Sequence, residues 1–491
     1  MERKCTMSNS NSQEQTIYRS LAWRIQLGFF DDGAVFPSVK EIAGKYQASY
    51  CPAQRALKML EQDGLIRLCR GKSTVVLKKP YENYLETDVF RQRTKALSDL
   101  TRSLMLISPP ICLQGICRMD DVIEEGSLPD SSIHPGRLLY GLFEYSLQYL
   151  GSQTALSLYY DISSFIQSSF FDILNARCGR EPARLFLQDI WRNYLQCIME
   201  SRNRDTLTAG QQLEHLGQVF FRETEAYLSG IPSPGPDEFQ EVFTWEPRKG
   251  RSRYCDIIAI DMICKINQGI YPVGSLLPNG SVLADIYHVS EITIRRTISL
   301  MNKLGVSRTL NGVGTRVVSR GDASIPYKLK DMTLDDNMRS FLEALQLLAI
   351  TGGSVFRYVF PHIPEDTLDA IFLAASIPQE KRSMVATIST GMQAVVHHCP
   401  LAAIREIYSR ITLLLLKGSL LRLEETGDEA VPQWTQISQS IRDSLASRDS
   451  AQFSRAFETL FEANFSATKL TLLEIGVSGA DEVADIAPHH G

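Results

Sequence analysis

The sequence lacks the local motifs that mark most enzyme active sites. It contains no Gly-x-Ser-x-Gly and no His-Glu-x-x-His, and Gly71-Lys72-Ser73 has no glycine at the upstream position that a phosphate-binding loop requires. Cysteine occurs ten times but never as Cys-x-x-Cys, which argues against a zinc cluster and a disulfide framework. We therefore expect a protein that is not an enzyme and whose cysteines are mostly reduced thiols.

Long apolar runs are also missing. Stretches such as Ile411 to Leu416 are far shorter than the roughly 20 residues of a membrane-spanning helix. Met1 to Gln15 is polar and has no apolar centre of the kind found in secretion signals. With 44% hydrophobic and 22% charged residues, the chain is predicted to be a globular, cytoplasmic protein without a membrane partner. Its 491 residues predict two to four domains.

Positive charge is scarce overall but concentrated in two segments. The formal net charge is −5, yet residues 14–80 contain eleven Lys/Arg against six Asp/Glu, and residues 246–320 contain eleven against five. Since phosphate neutralisation depends on local charge, this pattern is typical of a DNA-binding protein with acidic sensory or assembly domains. A solvated charge pattern without function is the alternative.

The two basic segments are similar to each other at a constant offset of 241 residues. Without a gap, this offset pairs Gly28 with Gly269, Gly33 with Gly274, Pro37 with Pro278, Ala43 with Ala284, Tyr46 with Tyr287, Ser49 with Ser290, Arg55 with Arg296, Gly64 with Gly305 and Gly71 with Gly312. Identities that keep one register over so many positions predict an internal repeat.

Each copy is predicted to form three helices followed by a two-stranded wing. Helical spacing, glycine ends, and Ser or Asn at helix starts indicate the helices, and short β-like runs around a glycine turn indicate the wing. The predicted elements are 17–27, 39–46, 49–62, 65–68 and 74–77 in the first copy, and 258–266, 280–287, 290–303, 306–310 and 315–318 in the second. This order is that of a winged helix-turn-helix, whose recognition helix enters the major groove of DNA.

These residues resemble the DNA-binding domain of the GntR (gluconate repressor) family. The first copy does so through Gly28, Gly33, the run Phe36 to Ala43, Ser49, Gly64-Leu65-Ile66 and Gly71; the second does so through Leu277-Pro278, Leu283-Ala284, Val289-Ser290, Thr293 to Arg296 and Gly312 to Thr315. The resemblance covers about 140 residues. It implies a sequence-specific transcription regulator whose partner is a double-stranded DNA operator.

The resemblance also implies which residues contact DNA. They are Ser38, Lys40, Ser49, Tyr50, Gln54, Arg55, Arg70 and Lys72 in the first head, and Asn279, Ser290, Thr293, Arg295, Arg296 and Arg316 in the second. Family members usually have arginine where this chain has Lys40 and Ser281, Tyr50 and Glu291, and Gln54. The alternative is that one copy has lost DNA binding and serves only as packing. The second copy is the candidate for this loss, because Glu291 would face a phosphate or a base edge.

The two remaining segments show helical spacing and net negative charge, so they are predicted to be helical bundles. The proline-rich stretch 230–236 predicts a linker. The expected plan is a tail at 1–12, a head at 13–80, a bundle at 81–236, a linker at 237–250, a head at 251–320, a bundle at 325–476 and a tail at 477–491. The fold class is thus mainly α, with α+β heads and an internal duplication.

In the GntR family a helical C-terminal domain often binds a small carboxylate, in one subclass with a metal held by Asp and several His. His134, His215, His362, His397 and His398 lack the helical spacing of such a set, so no metal or other cofactor is predicted. Aromatic residues such as Tyr159 and Phe165 are interpreted as core. Effector sensing and assembly both remain open as roles of the bundles.

The leading functional hypothesis is a regulator with two heads that read two half-sites from one chain. The alternatives are a protein-interaction scaffold with degenerate winged helices and an enzyme fused to DNA-binding heads. Because family members dimerise on palindromes, the duplication predicts a monomeric pseudo-dimer on two unequal half-sites, with a homodimer as the other possibility.

Overall fold

The computed structural model describes residues 13–26, 28–46, 48–69, 73–77, 83–119, 135–203, 205–232, 239–247, 254–267, 270–318, 335–418 and 433–487. The chain forms two compact units. Unit 1 comprises residues 1–249, 399–407 and 486–491, and unit 2 comprises residues 250–398 and 408–485. Among the described residues, no helix is long and apolar enough to span a membrane.

Head 1, residues 13–77, contains α1 (Gln13–Gln26), α2 (Val39–Lys45), α3 (Tyr50–Gln62) and the strands β1 (Ile66–Arg67) and β2 (Val75–Val76). Helix α1 buries Ile17, Leu21 and Ile25, and α3 buries Ala53, Ala56, Leu57 and Leu60, in one core. The strands pair antiparallel, Ile66 with Val76 and Arg67 with Val75. Three helices and a wing therefore form, as the spacing predicts.

The described residues of bundle 1 form helices. After a short 3₁₀ turn (Tyr84–Glu86) come α4 (Asp88–Ile116), α5 (Pro135–Gln148), α6 (Gln153–Ile166), α7 (Ser169–Cys178), α8 (Arg180–Arg202) and α9 (Thr206–Ser229). Its core includes Phe171, Leu187, Trp191 and Tyr194. A Cβ on Gly115 would lie 2.7 Å from the carbonyl oxygen of Ser146, so glycine allows α4 and α5 to approach closely.

Residues 239–247, expected as a linker, pack on unit 1. Arg93 is fully buried, and its Nε and Nη2 donate to the two carboxylate oxygens of Glu241 at 2.8 and 2.9 Å. Trp245 is also fully buried. A buried guanidinium requires an anionic partner, and this segment provides it. The neighbouring prolines and glycines predict a linker because they indicate only the local backbone conformation. They contain no information about the tertiary contacts of the segment.

Head 2, residues 254–318, has the same order of elements. It contains α10 (Tyr254–Asn267), α11 (Gly280–Tyr287), α12 (Glu291–Lys303), β3 (Ser307–Leu310) and β4 (Gly314–Val317). Ile258, Met262, Leu283, Ile294 and Met301 are buried. They lie 241 residues after Ile17, Leu21, Ile42, Ala53 and Leu60, which are buried in head 1. A common origin of the two heads by duplication stays a prediction.

The second helical segment contains α13 (Asp335–Val359), a 3₁₀ turn (Phe360–His362), α14 (Glu365–Ala375), α15 (Glu380–His398), α16 (Ala402–Leu415), α17 (Trp434–Ser447) and α18 (Ser450–Glu474). Helices α13 and α18 pack along each other. Phe356 stacks on Phe457 with ring centroids 4.3 Å apart. Aromatic packing at helical spacing thus builds a core.

The C-terminal residues 477–485, expected as a flexible tail, pack on unit 2. Ala480 and Val483 are fully buried. Lys469 Nζ lies 2.7 Å from Asp485 Oδ1, and Gln346 Nε2 donates to the carbonyl of Ala484 at 2.8 Å. The segment has too few apolar residues for a periodic signal, so only its tertiary contacts place it.

Candidate nucleic-acid interface

The start of α2 is closed by a capping box and presents one basic side chain to solvent. The backbone N–H of Ser38 donates to Glu41 Oε2 at 2.7 Å, and the N–H of Glu41 donates to Ser38 Oγ at 3.3 Å. The Ser38 N–H holds the pKa of Glu41 below its usual value. Lys40 is exposed in the first turn, where the helix terminus favours anions.

The outer face of α3 is the expected base-reading surface of head 1. Cys51, Gln54, Arg55 and Lys58 are exposed on the side opposite the buried residues, and Tyr50 is 56% exposed. The Ser49 side chain makes no capping bond, which agrees with the absence of an N–H on Pro52. Its hydroxyl therefore lies beside the exposed face without a role in helix capping.

Arg55 has a partner that its position in the sequence does not indicate. Its Nη1 lies 2.8 Å from Glu14 Oε2 on α1. The side chains of Arg55 and Glu14 are 62% and 27% exposed, so this is a surface ion pair, which is weak and can exchange for another anion.

Two further basic residues of head 1, which the sequence analysis did not include, lie on exposed faces of α3 and β1. Lys58 lies one turn after Gln54 on the same face of α3, and Arg67 alternates with the buried Ile66 in β1. Helical and strand periodicity were the signals that could have found them. The predicted wing residues Arg70 and Lys72 lie outside the described residues.

In head 2, several predicted contact residues cap helices. Asn279 Oδ1 accepts from the N–H of Val282 at 2.9 Å, and Ser290 Oγ accepts from the N–H of Thr293 at 3.4 Å. The hydroxyls of Ser290 and Thr293 are also 3.0 Å apart. These side chains therefore organise α11 and α12, and their oxygens are already used as acceptors.

The predicted arginines of head 2 are exposed. Arg295 lies 3.9 Å from Glu291 in a surface pair, Arg296 lies beside it on α12, and Arg316 lies on β4. Exposed apolar residues are also present, since Val282, Ile286 and Ile292 take the positions of Glu41, Lys45 and Cys51 in head 1. The exposed face of α11 and α12 is thus more apolar than that of α2 and α3.

A buried ionic cluster joins head 1 to bundle 1. The carboxylate of Glu144 on α5 lies 3.3 Å from Arg24 Nη2 and 2.9 Å from Lys45 Nζ, and it accepts from Tyr160 Oη at 2.7 Å. Burial alone would raise the pKa of Glu144, but the charges of Arg24 and Lys45 lower it below its usual value. Burial lowers the pKa of Lys45. The cluster fixes the C-terminal end of α2 and so orients the helix-turn-helix.

The structure contains a small open cleft in unit 2. Its volume is about 280 Å³, and it is lined by Asp366, Thr367, Ala370, Thr390, Gln393, His397 and His398. Ligand pockets usually have about 300–1,000 Å³ and enclose most of their ligand. Within the described part of the chain, no three His, Cys, Asp or Glu side chains form a metal-binding group.

Comparison with known proteins concerns mainly head 1. The family profile "Bacterial regulatory proteins, gntR family" matches residues 13–76. The HTH-type transcriptional regulator TreR of Bacillus subtilis (strain 168) is 38% identical over 64 residues, which are 13% of this chain and 27% of TreR. The chain thus spans about a quarter of the length of this curated relative.

Solved structures with similarity include Streptococcus agalactiae GntR, with a TM-score of 0.21, 15% identity and coverage of 43% of this chain and 99% of that one. A GntR family member from Pseudomonas syringae pv. tomato str. DC3000 has a TM-score of 0.20, 13% identity and coverage of 45% and 88%. The sequence match over 13–76 coincides with the three helices and wing of head 1. Residues 13–76, the three helices and wing of head 1, are thus a domain of the gntR family of bacterial regulatory proteins.

Proposed function

We propose that the protein is a sequence-specific, DNA-binding transcription regulator in which head 1 places α3 in the major groove. The observation that carries the proposal is the exposed polar face of α3 between the basic residues Lys40 and Arg67. Gln54 and Arg55 are suited to adenine and guanine edges. Lys40, Lys58 and Arg67 are suited to phosphates.

In this proposal, head 2 binds a second half-site of the operator. Its α12 presents Glu291, Arg295 and Arg296 where α3 presents Tyr50, Gln54 and Arg55. These side chains favour different base edges, so the two half-sites differ in sequence. One chain then acts as a pseudo-dimer on an asymmetric operator.

The helical segments hold the heads or sense an effector. The Glu144 cluster supports the first role for bundle 1, because it fixes α2 of head 1. An effector would have to bind one arrangement of head and bundle more tightly than another, since equal affinity shifts no equilibrium. No metal is required in this proposal.

A protein-interaction role is the second candidate for head 2. The exposed Val282, Ile286 and Ile292 favour it, because solvent-exposed apolar residues close in the sequence often mark protein contacts. The substitution Ile286→Glu separates the two functions: it weakens self-association or partner binding if the face contacts protein, and it leaves both unchanged if head 2 binds only DNA.

The test of the main proposal begins with duplexes selected by the full chain from random sequence. The variant Lys40→Ala/Lys58→Ala should bind them more weakly, and the slope of log Kobs against log salt should fall by about 2, because two phosphate contacts are lost. Lys95→Ala, an exposed lysine on α4, is the matched control. Failure to select any duplex, or an unchanged slope, would contradict the proposal.

Footprinting combined with the mass of the complex tests the pseudo-dimer. One chain on two dissimilar half-sites is the expected result. Two chains bound to a perfect palindrome would show that this part of the proposal is wrong.

A further inference from the structure

Residues 239–247, which lie between bundle 1 and head 2 in the sequence, have no regular secondary structure but pack on the rest of unit 1. Phe243 and Trp245 are buried, whereas Val242 is 66% exposed and Glu246 is exposed. Buried and exposed side chains thus alternate, as they do in an extended chain with one packed face. We call residues 239–247 the strap.

The carboxylate of Glu241 joins the strap to both head 1 and bundle 1. It accepts hydrogen bonds from Nε and Nη2 of the buried Arg93 on α4, at 2.8 and 2.9 Å, and it lies 3.5 Å from Arg19 Nη1 on α1. The backbone N–H of Glu241 also donates to the carbonyl of Gln92 at 2.8 Å. Bidentate pairs between arginine and a carboxylate are among the stronger polar contacts in proteins. The strap is therefore held at Glu241 by two parts of unit 1.

Trp245 anchors the other end of the strap. Its side chain is fully buried, and its backbone N–H donates to Glu406 Oε1 at 3.1 Å. The N–H of Glu246 donates to Asp161 Oδ2 at 3.4 Å, and the other carboxylate oxygen of Asp161 accepts from Thr16 Oγ1 of α1 at 3.1 Å. Buried aromatic side chains of this size dominate the energetics of cores and interfaces. The chain therefore runs to head 2 from a fixed point at Trp245.

The position of this anchor leaves head 2 on a short tether. Only residues 246–253 separate Trp245 from α10. An extended chain spans at most about 3.3–3.6 Å per residue, so this tether reaches about 30 Å. Without the strap, residues 230–253 after α9 would form the tether and reach about 80 Å. On the other side of head 2, residues 319–334 reach about 55 Å, so the anchored tether is the shorter connection.

We propose that the strap sets the distance between the half-sites that the two heads can bind at once, with Glu241 and Trp245 as positioning residues. The inference rests on the proposed function, in which each head binds one half-site. Two linked modules gain affinity from their linkage only where the connection can span both sites. Because the anchored tether is short, a narrow range of half-site spacings is preferred. The spacing thus becomes part of the specificity of the protein.

The test compares forms of the full chain on duplexes that differ in the spacer between the half-sites. The starting duplex is one selected by the wild-type chain, with its half-sites mapped by footprinting. Two added helical turns keep the half-sites on the same side of the DNA and move them apart by about 70 Å. This exceeds the roughly 60 Å between the farthest points that the anchored tether can reach. The wild-type chain should therefore bind the lengthened duplex at least tenfold more weakly, and no better than a duplex with one half-site.

Two variants lengthen the tether in different ways. Insertion of sixteen Gly/Ser residues after Gly250 leaves the strap unchanged, and Phe243→Ala/Trp245→Ala removes its buried side chains. Both should bind the starting duplex about fivefold more weakly, because the local concentration of head 2 falls with about the −3/2 power of tether length. Both should bind the lengthened duplex within about threefold of the starting one and a single half-site as tightly as wild type. Phe239→Ala/Val242→Ala, which removes two exposed side chains of the strap, is the matched control and should behave as wild type.

Hydrogen exchange shows whether the strap is attached in each form. The amides of Glu241, Trp245 and Glu246 donate hydrogen bonds, so they should be protected in the wild type and in the insertion variant, and exchange faster in Phe243→Ala/Trp245→Ala. A wild-type chain that binds all spacers equally, or an insertion variant that keeps the wild-type dependence on spacer length, would overturn the proposal. A wild-type chain that protects one half-site or none would instead contradict the proposed function.

Discussion

Head 1 and head 2 share one fold but satisfy their buried polar groups differently. In head 1, Arg24 on α1 forms an ion pair with Glu144 of bundle 1. In head 2 the equivalent residue is Lys265, whose Nζ lies 2.8 Å from Asp261 on its own helix. The hydroxyl of Tyr287 also donates to Asp261, at 2.6 Å.

The difference shows how a winged helix becomes attached to a neighbouring domain. Serine at position 20, the equivalent of Asp261, leaves Arg24 without an acidic partner inside head 1. Arg24 is almost completely buried, and a buried charge requires a partner, which Glu144 supplies. Lys265 remains partly exposed and is satisfied locally. A single acidic position therefore distinguishes a cation that pairs with the neighbouring bundle from one that pairs within its own head.

The apolar and aromatic contacts follow the same division. Trp23 of head 1 is buried against Tyr140 of bundle 1, with ring centroids 4.8 Å apart, and Phe29 lies 5.4 Å from Trp23. The equivalent of Phe29 in head 2 is Ile270, which is 58% exposed. Head 1 is thus packed against helices where head 2 presents side chains to solvent.

The largest expected effect comes from removing the shared acid. Glu144→Ala should lower the free energy of unfolding of unit 1 by about 3–5 kcal/mol, because Arg24 is left buried without a partner. Asp261→Asn, the corresponding change in head 2, should cost less than about 1 kcal/mol, because that pair is partly exposed. Denaturant unfolding followed by tryptophan fluorescence in a Trp434→Phe background reports unit 1 for Glu144→Ala, since Trp23, Trp191 and Trp245 all lie there. Asp261 lies in unit 2, so Asp261→Asn is measured by hydrogen exchange of the amides of α10 and α11. Equal losses of stability in the two variants would show that the two acidic residues do not differ in importance.

The ion pair between Glu144 and Arg24 should make the stability of unit 1 depend on pH. The folded protein lowers the pKa of Glu144 from its ordinary value of 4.5. Its stabilisation is therefore present above that pH and is lost as the pH falls through the lower folded value. The stability difference between wild type and Glu144→Gln should shrink below about pH 4.5. A difference that stays constant to pH 3 would show that the carboxylate charge is not the cause.

Helix capping should be equivalent in the two heads. Ser38 and Asn279 cap α2 and α11 in the same way, so Ser38→Ala and Asn279→Ala should each cost about 1 kcal/mol. Hydrogen exchange of the amides in each short helix measures this locally. A much larger effect of Ser38→Ala would mean that its bond with Glu41 also supports the docking of head 1.

The basic face of α3 is a further point of difference. Lys58→Ser introduces the residue that head 2 has at position 299. It should reduce affinity about fivefold at 0.15 M salt and lower the salt slope by about 1, because one phosphate contact is lost. Ser299→Lys is the reciprocal variant. Anisotropy titrations that show no change for Lys58→Ser would place the phosphate contacts of head 1 elsewhere.

The smallest expected effect concerns Arg55. Glu14→Gln removes its surface partner, so the guanidinium no longer exchanges one anion for another on binding DNA. Exposed pairs contribute about 0.2–1 kcal/mol, so affinity should rise by about two- to threefold. Weaker binding of this variant would indicate that Glu14 orients Arg55 for its base.

Local sequence patterns were enough to predict the helices and strands of both heads. Apolar residues at helical spacing, glycines after helices, and Ser or Asn before them specify local structure, and these signals depend on neighbours in the chain. The fixed offset of 241 residues then extended the interpretation from one head to the other. Arg55 of α3 and Arg295 and Arg296 of α12 were identified for the same reason.

Which of these side chains have a charged neighbour depends on contacts that form only in the folded chain. Glu14 beside Arg55, Glu144 beside Arg24, and Arg308 opposite Arg316 are pairs whose members are separated in the sequence. The segment around Trp245 and the residues near Val483 likewise became part of a core only through distant partners. Burial and pairing depend on which surfaces meet after folding, and local periodicity contains no information about that choice.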